Sequence, residues 1–451
     1  MLDNQPWKPA HHPTISWKTN NIPYSEENRD IYYSNSNGID ESNYYFINSN
    51  DLHKRFKTHT EERFCIGELG FGSGLNFLLT WLMWSNAPYP KPKLSYCAAE
   101  LNPMSLEDLK KANNKWPELS HLFAELIEKY PVAIKGQHRI VLNEGNVHLD
   151  LWWCPADIMC DDLSSYDRSY FDAWYLDGFA PRLNPSMWSS KLITSIAKCS
   201  KPSATFGTFT SSGDVRRALG QAGFEVIKQK GFAKKRNCLK GRLLISSTNH
   251  SKITPWDIST NASEKSIKHA VVIGAGLSGA HIAAALNRRG IEVDVVDSDK
   301  IAAGGSGNNQ AILYARLSTK HSLLTDFSLQ ALIFSSSIYS EMFFDPTFRR
   351  GEDGDLCGAF VGSEDTELLA YLKDALGKHP EIAEVLDHKE ASNRLGIEVV
   401  KNGYWLSASG WIHPPSICKN ILQRPGINST LDCGKVTIRR QGSMWVVKGE
   451  K

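Results

Sequence analysis

The chain is expected to be an α/β protein made of two Rossmann-like halves in series, and three stretches carry that expectation. In FCIGELGFGSGLNF (residues 64–77) an apolar run breaks into closely spaced glycines and resumes as LLTWLMW, which reads as strand, tight turn and helix. HAVVIGAGLSGAHIAAALNRRGIEVDVVDSD (residues 269–299) repeats strand, glycine turn and helix, and adds a second strand ending in acid. Between them, STNHSKITPWDISTNASEKSIK (residues 247–268) is polar and lacks hydrophobic periodicity, as a linker does. The domains are therefore expected at 1–247 and 269–451, with the linker at 248–268. A length of 451 residues suits two large domains at roughly 150 residues or more apiece.

Bulk composition narrows the function classes. A hydrophobic content of 41% and a charged content of 22% are those of a soluble globular chain, and a net charge of +2 gives no global attraction to nucleic acid, so any basic surface must be local. The nine cysteines form no C-x-x-C pair and no zinc-ligand spacing, so reduced thiols and no metal site are expected. The N-terminus lacks the charged lead and apolar core of a secretory signal. No run approaches the length needed to span a bilayer, so a cytoplasmic protein with no membrane association is expected.

In chain order, IYYSNSNGIDESNYYFI (residues 31–47) places aromatic runs on either side of Asn37-Gly38, a hairpin signal that fits either a flap over a ligand or a sheet edge. The glycine turn follows. Its E-x-G-x-G-x-G spacing, Glu68, Gly70, Gly72 and Gly74, leaves no side chain between backbone and ligand and feeds a helix N-terminus. It resembles the first motif of class I S-adenosylmethionine-dependent methyltransferases. LSYCAAE (residues 94–100) reads as a second strand delivering Glu100 where a doubly wound sheet meets a nucleotide ribose. Residues 105–130 are helical with a break at Trp116-Pro117, and HRIVL with NVHLDLWW supplies a strand pair. FDAWYLDGFAP (residues 171–181) carries Asp177 to the carboxyl edge of the sheet, so Glu68, Glu100 and Asp177 are expected around one crevice. The half closes on alternating strand and helix ending in two hairpin-like strands. Its basic run, Lys230, Lys234, Lys235, Arg236 and Lys240 with no acid between, is either a solvated loop or a phosphate-binding edge.

The second half carries the full dinucleotide fingerprint: Gly274, Gly276 and Gly279 at G-x-G-x-x-G spacing between strand and helix, then Asp297 for a ribose 2′-hydroxyl. The fingerprint alone leaves FAD and NAD open. AAGGSGNNQAILYARLS (residues 302–318) is a small-residue loop leading to an apolar strand, and residues 404–422 read as strands entering a helix whose first turn holds Pro414 and Pro415.

In this order the motifs resemble one family over nearly the whole chain, the bifunctional tRNA 5-methylaminomethyl-2-thiouridine biosynthesis proteins, MnmC. The resemblance rests on GFGSGLNF, DGFAP at 177–181, TFTS followed by VRR, the G-F-x-K-R type segment at 231–236, GAGLSG, and G-x-S-G-N-x-Q at 304–310. It implies a class I methyltransferase-like domain followed by an FAD-binding domain of glycine-oxidase type. Gly305, Ser306, Gly307 and Asn308 would then lie near the isoalloxazine, which favours FAD. Where the family tends to have Gly-Asp near the adenine, this chain has Cys154-Pro155, with Asp157 slightly later as the candidate contact. The family's flavin domain runs further than Lys451, so the second domain is expected to be incomplete and to bind FAD poorly, with methyl transfer retained.

The resemblance further implies a monomer acting on the wobble uridine of tRNA. The flavin half would oxidise a 5-carboxymethylaminomethyl group and leave a primary aminomethyl. The first half would methylate that amine from S-adenosylmethionine with Asp177 as proton acceptor, and Lys234, Lys235, Arg236 and Lys240 would meet tRNA phosphates. Two other readings are a small-molecule amine methyltransferase fused to a sarcosine-type oxidase, and a tRNA methyltransferase with an inactive second half.

Overall fold

The computed structural model describes residues 7–33, 37–165, 168–233, 235–244, 267–442 and 444–451. Lys234 and most of the linker expected at 248–268 lie outside them. The chain divides into two compact units, one of residues 9–258 and one of residues 1–8 with 259–451. The sequence assigns Trp7 and Lys8 to the first domain, whereas they group with the second. There Trp7 is buried, and its N–H donates to the Thr319 carbonyl at 3.3 Å.

The N-terminal unit opens with a small antiparallel sheet, β1 (Ile15–Lys18), β2 (Ile22–Ser25) and β3 (Asp30–Ile31). Its main sheet contains β4 (Arg63–Glu68), β5 (Lys93–Ala99), β6 (Gly136–Leu142), β7 (Val147–Trp153), β8 (Phe171–Tyr175), β9 (Ser200–Thr208), β10 (Phe224–Lys230) and β11 (Asn237–Leu243). Their order is β10-β11-β9-β8-β4-β5-β7-β6, with β9, β8, β4, β5 and β7 parallel and antiparallel strands at both edges. Alternation along a strand sends side chains to opposite faces. In β8, Ala173 and Tyr175 join one buried cluster and Trp174, between them, joins the other, so both faces of the sheet are covered. After β4 the chain builds outward through β5 and later returns to place β8 on the other side of β4. That reversal opens a crevice at the carboxyl ends of β4, β5 and β8.

The hairpin expected at residues 31–47 does not form. Asn37 instead caps a short helix, Gly38–Ser42, its side chain accepting from the Asp40 N–H at 3.2 Å, and a π-helical turn, Asn43–Asn48, follows. An Asn ahead of an acidic first turn is as good a helix start as a turn. The aromatic residues after it, Tyr45 and Phe46, are buried against the main core. The helical stretch at 105–130 appears as Leu106–Asn113 and Ser120–Lys129, separated at Trp116-Pro117.

In the C-terminal unit, β12 (His269–Ile273), β13 (Glu292–Val296) and the strand Ile427–Thr430 form a parallel sheet backed by the helix Leu277–Asn287. The strand expected at 311–317 is confined to Ala311–Leu313, with Ile312 and Tyr314 exposed and Ala315 and Leu317 buried. The helix Pro414–Leu422 begins with two prolines, whose missing N–H groups cost nothing in a first turn. Among the described residues, no sheet takes strands from both units, and no helix is long and apolar enough to cross a membrane.

Candidate active site

A cavity of about 340 Å³ fills the crevice of the N-terminal unit. Gly70 and Gly72 line it from the turn after β4, Glu100 from the end of β5, Ala156 and Asp157 from the start of the helix Ala156–Ser165 after β7, and Asp177 from beyond the end of β8. The backbone explains the glycines. Gly72 has φ +53°, and a Cβ there would lie 3.2 Å from the Tyr32 ring, while Gly74, at φ +74°, starts the helix Leu75–Ser85. Glu100 ties the turn to the sheet: its two oxygens accept from the N–H groups of Gly72 at 2.9 Å and Asn102 at 3.0 Å, leaving lone pairs for a vicinal diol. Burial raises its carboxyl above the ordinary value, against the lowering effect of those bonds.

Glu68 does not face the cavity, and neither does Gly74. Glu68 is completely buried behind Asn76, and desolvation, with Asp177 nearby, pushes its carboxyl well above the usual range. The Asn76 amide donates to both carboxyls, 2.8 Å to Glu68 Oε1 and 2.8 Å to Asp177 Oδ2, and its own oxygen accepts from the Ser42 hydroxyl. Asp177 Oδ1 accepts from the Gly178 N–H at 2.8 Å. Burial raises Asp177 to about 6, while the bonds from Gly178 and Asn76 hold it down. A carboxylate tuned to about 6, held from behind and open to the cavity in front, is suited to proton acceptance near neutrality.

Beyond Asp177 the cavity becomes aromatic: Tyr32, Tyr45, Phe46, Phe179 and Phe209 line it, with Glu41 and Lys235. Tyr45 is fixed by its hydroxyl, which accepts from the Phe232 N–H at 2.9 Å, tying the π-helical turn to the loop before β11. Sequence reasoning missed Ser42, Asn76, Glu41 and the inward position of Lys235. Asn76 was within reach, as a polar residue in the first turn of an otherwise apolar helix. Lys235, expected at tRNA phosphates, lies instead 3.7 Å from Glu41, with Nζ 4.3 Å from the centre of the Phe209 ring. Arg236 is exposed and Lys240 half-buried on the β10–β11 edge.

The dinucleotide fingerprint of the C-terminal unit is also built to receive a ligand. Gly274 has φ +110° with open space where a Cβ would go, whereas a Cβ on Gly279 would lie 1.8 Å from the Gly274 carbonyl oxygen. Asp297 accepts from the Ala275 N–H at 2.6 Å, bracing the turn. Ser306 sits at the start of the helix Leu277–Asn287, where its hydroxyl accepts from the Leu277 N–H at 3.0 Å, while Gly305 and Asn308 are exposed beside it. Ser306 thus stands beside the pyrophosphate end of the turn.

Comparison with known proteins gives both halves a family. Residues 117–243 match the family described as S-adenosyl-L-methionine-dependent methyltransferase, and residues 269–450 match FAD dependent oxidoreductase. A tRNA 5-methylaminomethyl-2-thiouridine biosynthesis bifunctional protein MnmC of Legionella pneumophila is 34% identical over 99% of this chain and 69% of its own length. Its namesake in Marinobacter nauticus is 37% identical over 98% of this chain and 68% of its own, and that of Stutzerimonas stutzeri is 34% identical over 100% and 67%. With a methyl-donor crevice in one unit and a dinucleotide turn in the other, in the order those relatives have them, the chain belongs to the MnmC family of bifunctional tRNA-modifying enzymes.

Proposed function

We propose that the chain completes a wobble-uridine side chain in tRNA. The C-terminal unit removes the carboxymethyl group of 5-carboxymethylaminomethyl-2-thiouridine by oxidising its secondary amine, and the N-terminal unit methylates the primary amine that remains. The observation that carries this reading is Asp177, raised to about 6 by burial and set between a glycine-lined crevice and the aromatic residues of the same cavity.

S-adenosylmethionine supplies an electrophilic methyl on a sulfonium. The protein's part is to hold the nucleoside, free the amine of its proton and align it. Gly70, Gly72 and Glu100 suit the amino-acid and ribose portions, and Ala156 and Asp157, which line the same cavity, would meet the adenine. The substrate arrives as an ammonium whose unperturbed pKa is about 10, and only neutral nitrogen has a lone pair. Asp177 accepts that proton, while Asn76 and Gly178 keep its carboxylate oriented. Confining amine and methyl in one cavity supplies the larger share of the acceleration, since orientation alone is worth up to about 7–11 kcal/mol.

FAD supplies a two-electron acceptor. Gly274 and Gly276 would admit its pyrophosphate to the helix N-terminus beside Ser306, Gly279 lets the helix pack closely on the turn, Asp297 braces the turn on the ribose side, and Gly305, Gly307 and Asn308 form the adjoining loop. Incubating the chain with tRNA bearing the carboxymethylaminomethyl group, with and without S-adenosylmethionine, and digesting to nucleosides for mass spectrometry tests both steps. Aminomethyl should accumulate without the methyl donor and methylaminomethyl with it; unchanged nucleosides in both reactions would reject the reading.

A further inference from the structure

Glu41 and Lys235 face each other across the substrate end of the cavity. Glu41 comes from the helix Gly38–Ser42 and Lys235 from the loop before β11, and the ion pair, 3.7 Å, spans the two walls. Their exposures differ: 18% for the Glu41 side chain and 48% for Lys235. A carboxylate set into an aromatic wall favours a cation beside it. The lysine resting on the Phe209 ring at 4.3 Å and near the Tyr45 ring at 5.4 Å is held by contacts it can exchange for water. Resting on the reaction proposed above, the substrate brings a second cation, its primary ammonium, into this chamber. Asp177 already accepts one protein N–H on each oxygen, and the lone pairs left to it are the ones that take up the ammonium proton, so a second carboxylate is needed to hold the nitrogen while that proton moves.

We propose that Glu41 is the ammonium-binding residue of the substrate chamber and that Lys235 holds its place until the amine arrives. The incoming R–CH2–NH3⁺ displaces Lys235 toward solvent and donates one N–H to Glu41, which turns another toward Asp177. That proton passes to the Asp177 carboxylate, giving R–CH2–NH2 and a neutral carboxylic acid. The nitrogen lone pair then forms the N–C bond as the S–C bond of the methyl donor breaks, and a thioether leaves. Glu41 is specific for the charge: an isosteric hydroxymethyl side chain has no ammonium to displace the lysine.

The groups around Asp177 make the assignment readable. Glu41 and Lys235 act on it with opposite sign, Glu41 raising and Lys235 lowering its pKa; Glu68 on β4 and Tyr96 on β5, both raised by burial, stand beside it, and Glu100 stands at the end of β5. The full chain, loaded with S-adenosylhomocysteine, is titrated by calorimetry with 5-aminomethyl-2-thiouridine and with its 5-hydroxymethyl analogue. The wild-type protein should prefer the amine by about tenfold or more, the worth of one charge-assisted hydrogen bond. E41Q should lose most of that preference with S-adenosylhomocysteine affinity unchanged within about twofold, and K235M should keep it. In turnover, the acid limb of kcat/KM should move to lower pH in E41Q and to higher pH in K235M, a pair of opposite shifts that a merely structural role would not produce. Retention of the amine preference by E41Q, its loss in K235M, or limbs moving the same way would overturn the proposal. A Glu41-dependent preference in a protein that leaves tRNA unmethylated would instead overturn the proposed reaction and leave the binding role standing.

Discussion

Asp177 is the residue on which methyl transfer turns. Asp177→Asn keeps the hydrogen bond from Gly178 in reach and the shape of the site, but an amide does not accept the ammonium proton. Turnover at saturating S-adenosylmethionine should fall by about 10²–10⁴-fold, with the affinity for the methyl donor changed only a few-fold; unchanged turnover would reduce Asp177 to a structural part. The pH dependence follows from its position at about 6. The ionised form is the active one, so kcat/KM should fall as pH drops through about 6. Asn76→Ala removes a bond that stabilises the ionised form, which moves that limb to higher pH; a limb that stays in place while activity falls would show that Asn76 does no more than pack. Asp177 and Glu100 were legible in the sequence because each follows an apolar strand directly, and strand ends converge in a doubly wound sheet. Glu41 and Lys235 were not. They meet across nearly two hundred residues of chain, and no local pattern encodes that approach.

Elements were legible where the backbone itself imposes a residue type. The two glycine turns show this most clearly, since positive φ and close packing admit little else. Gly72→Val should abolish binding of the methyl donor, because a branched residue is disfavoured at φ +53° and its Cβ would press on Tyr32 at 3.2 Å; calorimetric binding at wild-type affinity would contradict the cradle. In the C-terminal unit, Gly279→Ala should disrupt the turn, its methyl group colliding with the Gly274 carbonyl. The stretch at 31–47 was misread for the opposite reason. Asn-Gly serves a type I′ turn and a helix start equally well locally, and the choice fell to Tyr45 and Phe46, which bury against the core only along a helical path. The π-helical turn widens that path where Tyr45 and Phe46 meet the cavity, a frequent use of such turns near functional sites.

At the scale of the molecule, a net charge of +2 leaves tRNA attraction to local surface, and the edge strand β10, the loop after it and β11 carry exposed Lys228, Lys230 and Arg236 with half-buried Lys240. Replacing Arg236 and Lys240 by Ala should weaken binding to all tRNAs alike and flatten the dependence of log K on log salt by up to about 0.9 per lost phosphate contact, the duplex value; an unchanged slope would remove this edge from the interface. The division into two units makes a second, independent prediction. Each unit has its own buried core, and among the described residues no sheet is shared between them, so each is expected to melt as its own cooperative transition. A ligand that binds only the folded form of one unit stabilises that unit by about 2.7 kcal/mol at a hundred times its Kd. For a unit of this size, that moves its midpoint by roughly 5–10 °C. S-adenosylmethionine should therefore raise one calorimetric transition and leave the other in place, and FAD should do the reverse. Gly72→Val should cancel the first shift alone. A single transition that responds to both ligands would show that the two units unfold as one.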